Sequence, residues 1–312
     1  MATDARTSPH AGSAPNTDEL QILFGQSFHF EGELNSLANA PTQFVERKFT
    51  GIRNMQEQLN ERYRQFRQAA KGLLDQPEIS PPLLLRIPCG WVESPCRVMV
   101  VGQETQGWGL SERYHNRPFG PCEVCPHKES IPPKGQQKVA QPIDALLHVY
   151  EIFNFAETQP ATRRSPFWRA FRELKQTDGK TCFIWSNLYR VDFKEHSVLG
   201  APESTQKEIR EAQRGLLSEE LRILAPRIVV FFTGPNYDNE LKAEFPGIKF
   251  CPVENSSSTR SLARLEHPRL PHSSFRTYHP NYLQISGNWG LVKYVGNLIR
   301  GAARSDAGPA LS

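Results

Sequence analysis

The apolar positions of this chain follow two patterns. The first is a set of short unbroken runs: Arg97-Val-Met-Val-Val101 closed by Gly102, Cys182-Phe-Ile-Trp-Ser186 closed by Asn187, Arg227-Ile-Val-Val-Phe-Phe232 followed by Gly234, and Phe275-Arg-Thr-Tyr278 closed by His279-Pro280. Runs this short, rich in β-branched and aromatic residues and ended by turn formers, predict buried strands. Ile248–Val253 and Ser261–Leu265 predict two shorter ones. The second pattern has steps of three and four residues. From Gln43 to Leu74 the positions Val45, Phe49, Ile52, Met55, Leu59, Tyr63 and Phe66 predict a helix with one face on the core. Its arginines, Arg53, Arg62, Arg64 and Arg67, are expected on the solvated face. Ile143–Phe155, Ser165–Leu174 and Trp289–Arg300 predict further helices. Ser204–Leu224 predicts an amphipathic one with Ile209, Leu216, Leu217, Leu221 and Leu224 on one face, stopped by Pro226.

Strands and helices alternate, and the strands are apolar throughout. That predicts an α/β fold of three layers, α/β/α, with a central, mostly parallel sheet of four or five strands. The organisation read from the chain is a disordered N-terminus over 1–17, a helical extension over 18–80, the α/β domain over 81–301 and a disordered tail over 302–312. Pro81–Pro95 reads as loop. In such sheets ligands bind beyond the carboxyl ends of the strands. Gly102-Gln-Glu104, Asn187, Gly234-Pro-Asn236 and His279 all follow strands, so they are expected along one edge. Residues 102–142, about forty without periodicity, form a connection long enough to be functional. It carries Trp108, Tyr114 and Phe119.

Composition narrows the classes without choosing among them. The 312 residues carry a net charge of +4, which is compatible with a phosphate-bearing partner. No run of about 18 apolar residues spans a membrane, and the polar N-terminus has no signal-peptide core, so a cytoplasmic protein is expected. Of the six cysteines, Cys122-Glu-Val-Cys125 is half of a metal-site pattern. Cys89 and Cys96 could complete it only if a long loop folded back from the far end of a strand. Neither a zinc nor an iron–sulfur site through Cys122 and Cys125 is therefore expected, and the reading is of a protein without a cofactor.

The strand-end residues suit one kind of chemistry. Glu104 offers a carboxylate, Asn187 an amide that both donates and accepts, and His279 a donor for an oxygen gaining negative charge. A carboxylate and a donor across a pocket suit cleavage of an N-glycosidic bond, in which the sugar turns cationic, the departing base anionic, and a water completes the reaction.

These segments, in this order, resemble the uracil-DNA glycosylase superfamily over Cys89–Gly301. Val98-Met-Val-Val-Gly102-Gln-Glu104 resembles the first motif, a strand followed by Gly-Gln-Asp-Pro-Tyr-His. Trp185-Ser-Asn187-Leu resembles the strand that ends in the base-reading Asn, and Leu221-Arg-Ile-Leu-Ala-Pro226-Arg-Ile-Val-Val the helix and strand before the third loop. His279-Pro-Asn-Tyr-Leu283 resembles His-Pro-Ser-Pro-Leu. The resemblance implies catalytic roles for Glu104, at the water-positioning Asp, and His279, which stabilises the leaving base. It implies base binding by Gln103 and Asn187, with Phe119 as the expected stacking ring, and DNA contact by Gly234, Asn281 and Leu283, the last as the wedge that fills the helix after extrusion. Glu104 is longer than Asp, and Thr105-Gln-Gly107 replaces Pro-Tyr-His, so the pocket is remodelled, for uracil or for a damaged or modified base such as those of phage DNA. No lysine adjoins the set, which points to hydrolysis without a covalent intermediate. The expected partner is duplex or single-stranded DNA, with the protein a monomer, in repair or phage defence. A non-catalytic nucleic-acid-binding protein on the same fold, or a hydrolase of free nucleosides or nucleotides, are the alternatives.

Overall fold

The computed structural model describes residues 42–88, 90–106, 143, 146–147, 150, 165–175, 181–254, 256 and 258–305, with side chains from residue 51 to residue 303. Phe119, Trp108, Tyr114, Cys89, Cys122, Cys125, the side chains of Val45 and Phe49, and the expected N-terminal tail lie outside these residues. The elements are α1 (Thr42–Ala69), α2 (Lys71–Leu74), β1 (Cys96–Gly102), α3 (Pro166–Lys175), β2 (Thr181–Asn187), α4 (Glu203–Gln213), α5 (Leu216–Leu224), β3 (Ile228–Phe231), α6 (Asp238–Glu244), β4 (Lys249–Pro252), β5 (Leu262–Glu266), β6 (Ser273–Thr277), α7 (Pro280–Ile285) and α8 (Gly290–Ser305). Ile143, Leu146, Leu147 and Tyr150 are also helical.

The sheet has six strands in the order β2-β1-β3-β6-β5-β4. The first four are mutually parallel, while β5 and β4 run antiparallel. This is the expected α/β architecture, with six strands where the chain reads as four or five, because both short runs pair, as the β4–β5 hairpin. In β1, Val98, Met99, Val100 and Val101 are all fully buried, and in β3 Ile228, Val229, Val230 and Phe231 are too. Successive strand residues point to opposite faces, so a run buried at every position requires cover on both sides. The helices supply it in two groups, α1 with α4 and α5, and α3 with α7 and α8. No described helix is long and apolar enough to cross a membrane.

Three expectations need correction. The helix read over Ser204–Leu224 is two, α4 and α5, because Gly215 sits at φ +72, outside helical space. The apolar face survives the break, and the new helix start is satisfied by Glu244, whose carboxylate accepts from the Gly215 and Ser218 amides at 3.0 and 2.8 Å. Arg67, expected in solvent, is buried, with only 8% exposure. The closing helix α8 runs to Ser305, so residues 302–305 belong to it and not to a tail.

The N-terminal helix is part of the one core. Leu59, Tyr63 and Phe66 of α1 are buried with the sheet residues. Between α1 and the sheet lies a buried extended segment whose Leu83, Leu84 and Leu85 are fully covered. Its first amides pair with backbone, Leu83 N donating to Arg190 O at 2.7 Å, and later ones borrow side chains: Leu85 N donates to Tyr63 Oη at 3.1 Å and Ile87 N to Gln56 Oε1 at 2.9 Å. Tyr63 in turn donates to Glu220 of α5 at 3.0 Å. Glu220 is bridged to Arg190, and both side chains are 1% exposed or less. Arg190 also donates to Ser186 Oγ at 2.5 Å and to the carbonyl of Asn187.

Removing one partner from this network strands the other in a dry interior. Glu220→Ala is expected to cost about 3–5 kcal/mol of unfolding free energy, read as a lowered denaturation midpoint by tryptophan fluorescence. A loss below about 1 kcal/mol, the size of a surface ion pair, would show that Arg190 is not held by Glu220.

Candidate active site

Parallel pairing sets Gly102, the last residue of β1, opposite Asn187, the last of β2. A Cβ at residue 102 would stand 2.4 Å from Asn187 Oδ1 and 3.2 Å from Phe167 Cε2. The missing side chain is what lets the amide and the ring close over the backbone. Asn187 is 5% exposed, and the Arg190 guanidinium holds its carbonyl. On the other side of β1, Gln103 Nε2 donates to the Thr233 carbonyl at 2.7 Å, tying the first strand end to the third. Gly234 then turns at φ +73, with the backbone N of His279 3.7 Å from where its Cβ would be. Its amide donates to Thr277 O at 2.9 Å.

His279 follows β6 and caps α7. Its Nδ1 accepts from the Asn281 amide at 3.3 Å. Burial pushes the imidazole down to about 4, so the ring is neutral at pH 7. With Nδ1 accepting, the proton resides on Nε2, which is the donor left for a ligand. The ring is stacked with Phe167, centroids 6.4 Å apart and planes at 15°. Phe167 is held edge-on against Trp185 and Phe232, at 6.2 and 6.4 Å. Phe167 thus touches both sides of the site. Its place in the first turn of α3 gives no strand-end signal, and the sequence reading missed it. The only cue was Ser165-Pro-Phe-Trp168, a helix start with two adjacent aromatic rings, one of which faces the strand ends.

Glu104 is held separately. Tyr237, after β3, donates to its carboxylate, with Oη 2.6 and 2.8 Å from the two oxygens. Ser197 Oγ lies 2.9 Å from Tyr237 Oη. Burial pushes the Glu104 carboxyl up to about 7, partly offset by Tyr237 and Ser197, and the charge of Asp192 adds to the rise. Asp192 is itself buried and accepts from Thr105 Oγ1 at 2.7 Å. Among the described residues no hydrogen bond links Glu104 to Asn187 or His279.

The site therefore gathers Asn187, Phe167 and His279 directly, with Gly102 and Gly234 as the places where backbones pass closely. Leu283 is not a wedge: it is fully buried under α7, because the first turn of that helix points it at the core. The residues α7 does expose are Tyr282, at 51%, and Ile285, at 77%. Asn281 is exposed, and its amide serves to orient His279. Asp238, next to Tyr237, pairs with Arg276 at 2.9 Å in a structural bridge.

Neither family models, nor curated proteins, nor solved structures match this chain. Its chemistry is read from the residues alone. Among the described residues no group of three or more His, Cys, Asp or Glu is placed to hold a metal ion, and Cys96, Cys182 and Cys251 are thiols.

Two outcomes follow. Proton-coupled nitrogen shifts of the His279 ring should show a neutral Nε2–H tautomer at pH 7 and a midpoint near 4. Because the unfolded ring titrates near 6.5, the unfolded chain binds the proton first as pH falls, so His279 should weaken stability between about 6.5 and 4, and His279→Ala should flatten that part of the profile. A midpoint above about 7 would leave the ring charged at pH 7 and remove the neutral donor. Gly102→Ala should cost about 1–3 kcal/mol by overpacking against Asn187 and Phe167, measured by urea denaturation; a neutral substitution would mean that the approach is not tight.

Proposed function

We propose that this chain is a monofunctional DNA glycosylase, hydrolysing the N-glycosidic bond of a uracil, damaged or modified base flipped out of DNA. The observation that carries this reading is the imidazole of His279, its Nδ1 occupied by the Asn281 amide, stacked on the Phe167 ring that also closes over Gly102 and the buried Asn187 amide. A base has a π-face, an edge of donors and acceptors, and an oxygen that gains charge as it leaves. Phe167, Asn187 and His279 answer these in turn.

In the reaction, Asn187 reads the base edge and Phe167 bears its face. As the bond between C1′ and the base nitrogen breaks, its electron pair goes to the base, and His279 Nε2–H stabilises the negative oxygen without transferring its proton. A neutral donor suits this step, because the departing base stays anionic. Water attacks C1′, its oxygen forming the new bond, and Glu104 in its ionised form takes the released proton. Extrusion costs a few kcal/mol of stacking. The exposed Ile285 and Tyr282 of α7, in place of Leu283, are the apolar groups fit to fill the gap.

A second reading, binding without catalysis, is favoured by one observation, that the Glu104 carboxylate is engaged by Tyr237. Base release from duplexes carrying uracil or oxidised, alkylated or hypermodified bases separates the two. With the substrate base, His279→Ala should lower the rate about 10²–10³-fold and Glu104→Gln about 10²–10⁴-fold, while Ile285→Ala should weaken duplex more than single-strand turnover. Undiminished release by both Glu104→Gln and His279→Ala would sink the assignment of roles. Tight, salt-dependent binding with no release from any duplex would leave the binding reading.

A further inference from the structure

We propose that Tyr237 is the positioning residue of this site, pinning the Glu104 carboxylate in one orientation through a Ser197–Tyr237–Glu104 chain of hydrogen bonds. This rests on the reading of Glu104 as the group that acts on water. The chain is assembled from the connections that follow three different strands. Glu104 follows β1, Ser197 lies in the long connection after β2, and Tyr237 follows β3 in the turn begun by Gly234. Tyr237 is 3% exposed, so its ring is fixed by packing and its hydroxyl is largely shielded from bulk water. Burial and the adjacent Glu104 both push that hydroxyl well above its usual range. It keeps its single proton and can give it to one acceptor.

That acceptor is Glu104, whose two oxygens lie 2.8 and 2.6 Å away. Ser197 is then left to donate, to the tyrosine oxygen 2.9 Å away or to the carboxylate. Its orientation is fixed because its Oγ also accepts from the Leu199 amide at 3.2 Å, capping a short 3₁₀ turn. A glutamate has one more rotatable bond than an aspartate, and an unanchored Glu104 would sample several positions. Donation from Tyr237 selects one of them.

The same bond governs when Glu104 is ionised. The titratable and charged groups acting on it are Tyr237 and Asp192, with the Ser197 hydroxyl and the Val198 amide as further donors. Burial and Asp192 favour the protonated acid, while the donors favour the carboxylate. A hydrogen bond to an ionised group is worth enough to move a midpoint by about one to two units. Loss of the Tyr237 hydroxyl therefore moves the titration upward, leaving less carboxylate at pH 7.

The test uses the full chain labelled with carboxyl-¹³C glutamate, with Glu104→Gln identifying the resonance. In the wild type the Glu104 signal should titrate near 7. In Tyr237→Phe, which keeps the buried ring, the midpoint should rise by about one to two units; Ser197→Ala should move it the same way by less. The smaller Ser197→Ala change keeps the test open if Tyr237→Phe does not fold. A midpoint that stays put or falls in the variant that folds overturns the proposal, whatever the activity. Where base release is measurable, the ascending limb of its pH profile should move with the resonance. If the resonance moves and the limb does not, the positioning stands and the assignment of Glu104 to water fails.

Discussion

Two parallel strands ending side by side leave almost no space between their last residues, and this structure fills that space with an amide. Gly102 carries nothing where a methyl group would collide with Asn187, so the amide lies against bare backbone with Phe167 above it. Asn187 and Phe167, and through the ring His279, are arranged around that approach. The aromatic ring can reach across to the imidazole of His279 only because residue 102 is out of the way, and the Asn187 carbonyl is free to take the Arg190 guanidinium because its side chain is accounted for. The site is thus a consequence of strand pairing, not of a loop chosen for its reach.

The polar interior behind the rim does a different job. Tyr63, Glu220, Arg190 and Ser186 form a connected set in which every charge has a partner, running from the first helix through α5 to the end of β2. An apolar replacement of the whole set could be as stable. The polar version also holds the Asn187 carbonyl, through the Arg190 guanidinium. What the two buried charges beneath Asn187 contribute is orientation rather than strength.

How much of this was visible in the chain depended on how local the cause was. Buried strands announced themselves, since a run such as Val98–Val101 can be accommodated only in a sheet covered on both faces. The strand ends, and with them Asn187 and His279, followed from parallel topology. Failures came where the decisive contact lay elsewhere. Gly215 inside an amphipathic pattern gave no sign that Glu244 would supply a cap for a second helix. Leu283 could face in or out, because α7 is too short for periodicity to choose. Phe167 was missed because its role is set by Gly102, more than sixty residues away (167 − 102 = 65), and Tyr237 could not be matched to Glu104 without knowing which loops cross. The hairpin of β4 and β5 was legible as two runs, but not as a widening of the sheet.

The way α1 is fastened makes it inseparable from the sheet. Its tyrosine satisfies an amide of the extended segment and a carboxylate of α5 at once, so the helix is neither an arm added to a finished sheet nor a detachable regulator. Helix and sheet are therefore one cooperative piece, and a chain severed between them would leave the Leu85 amide bare.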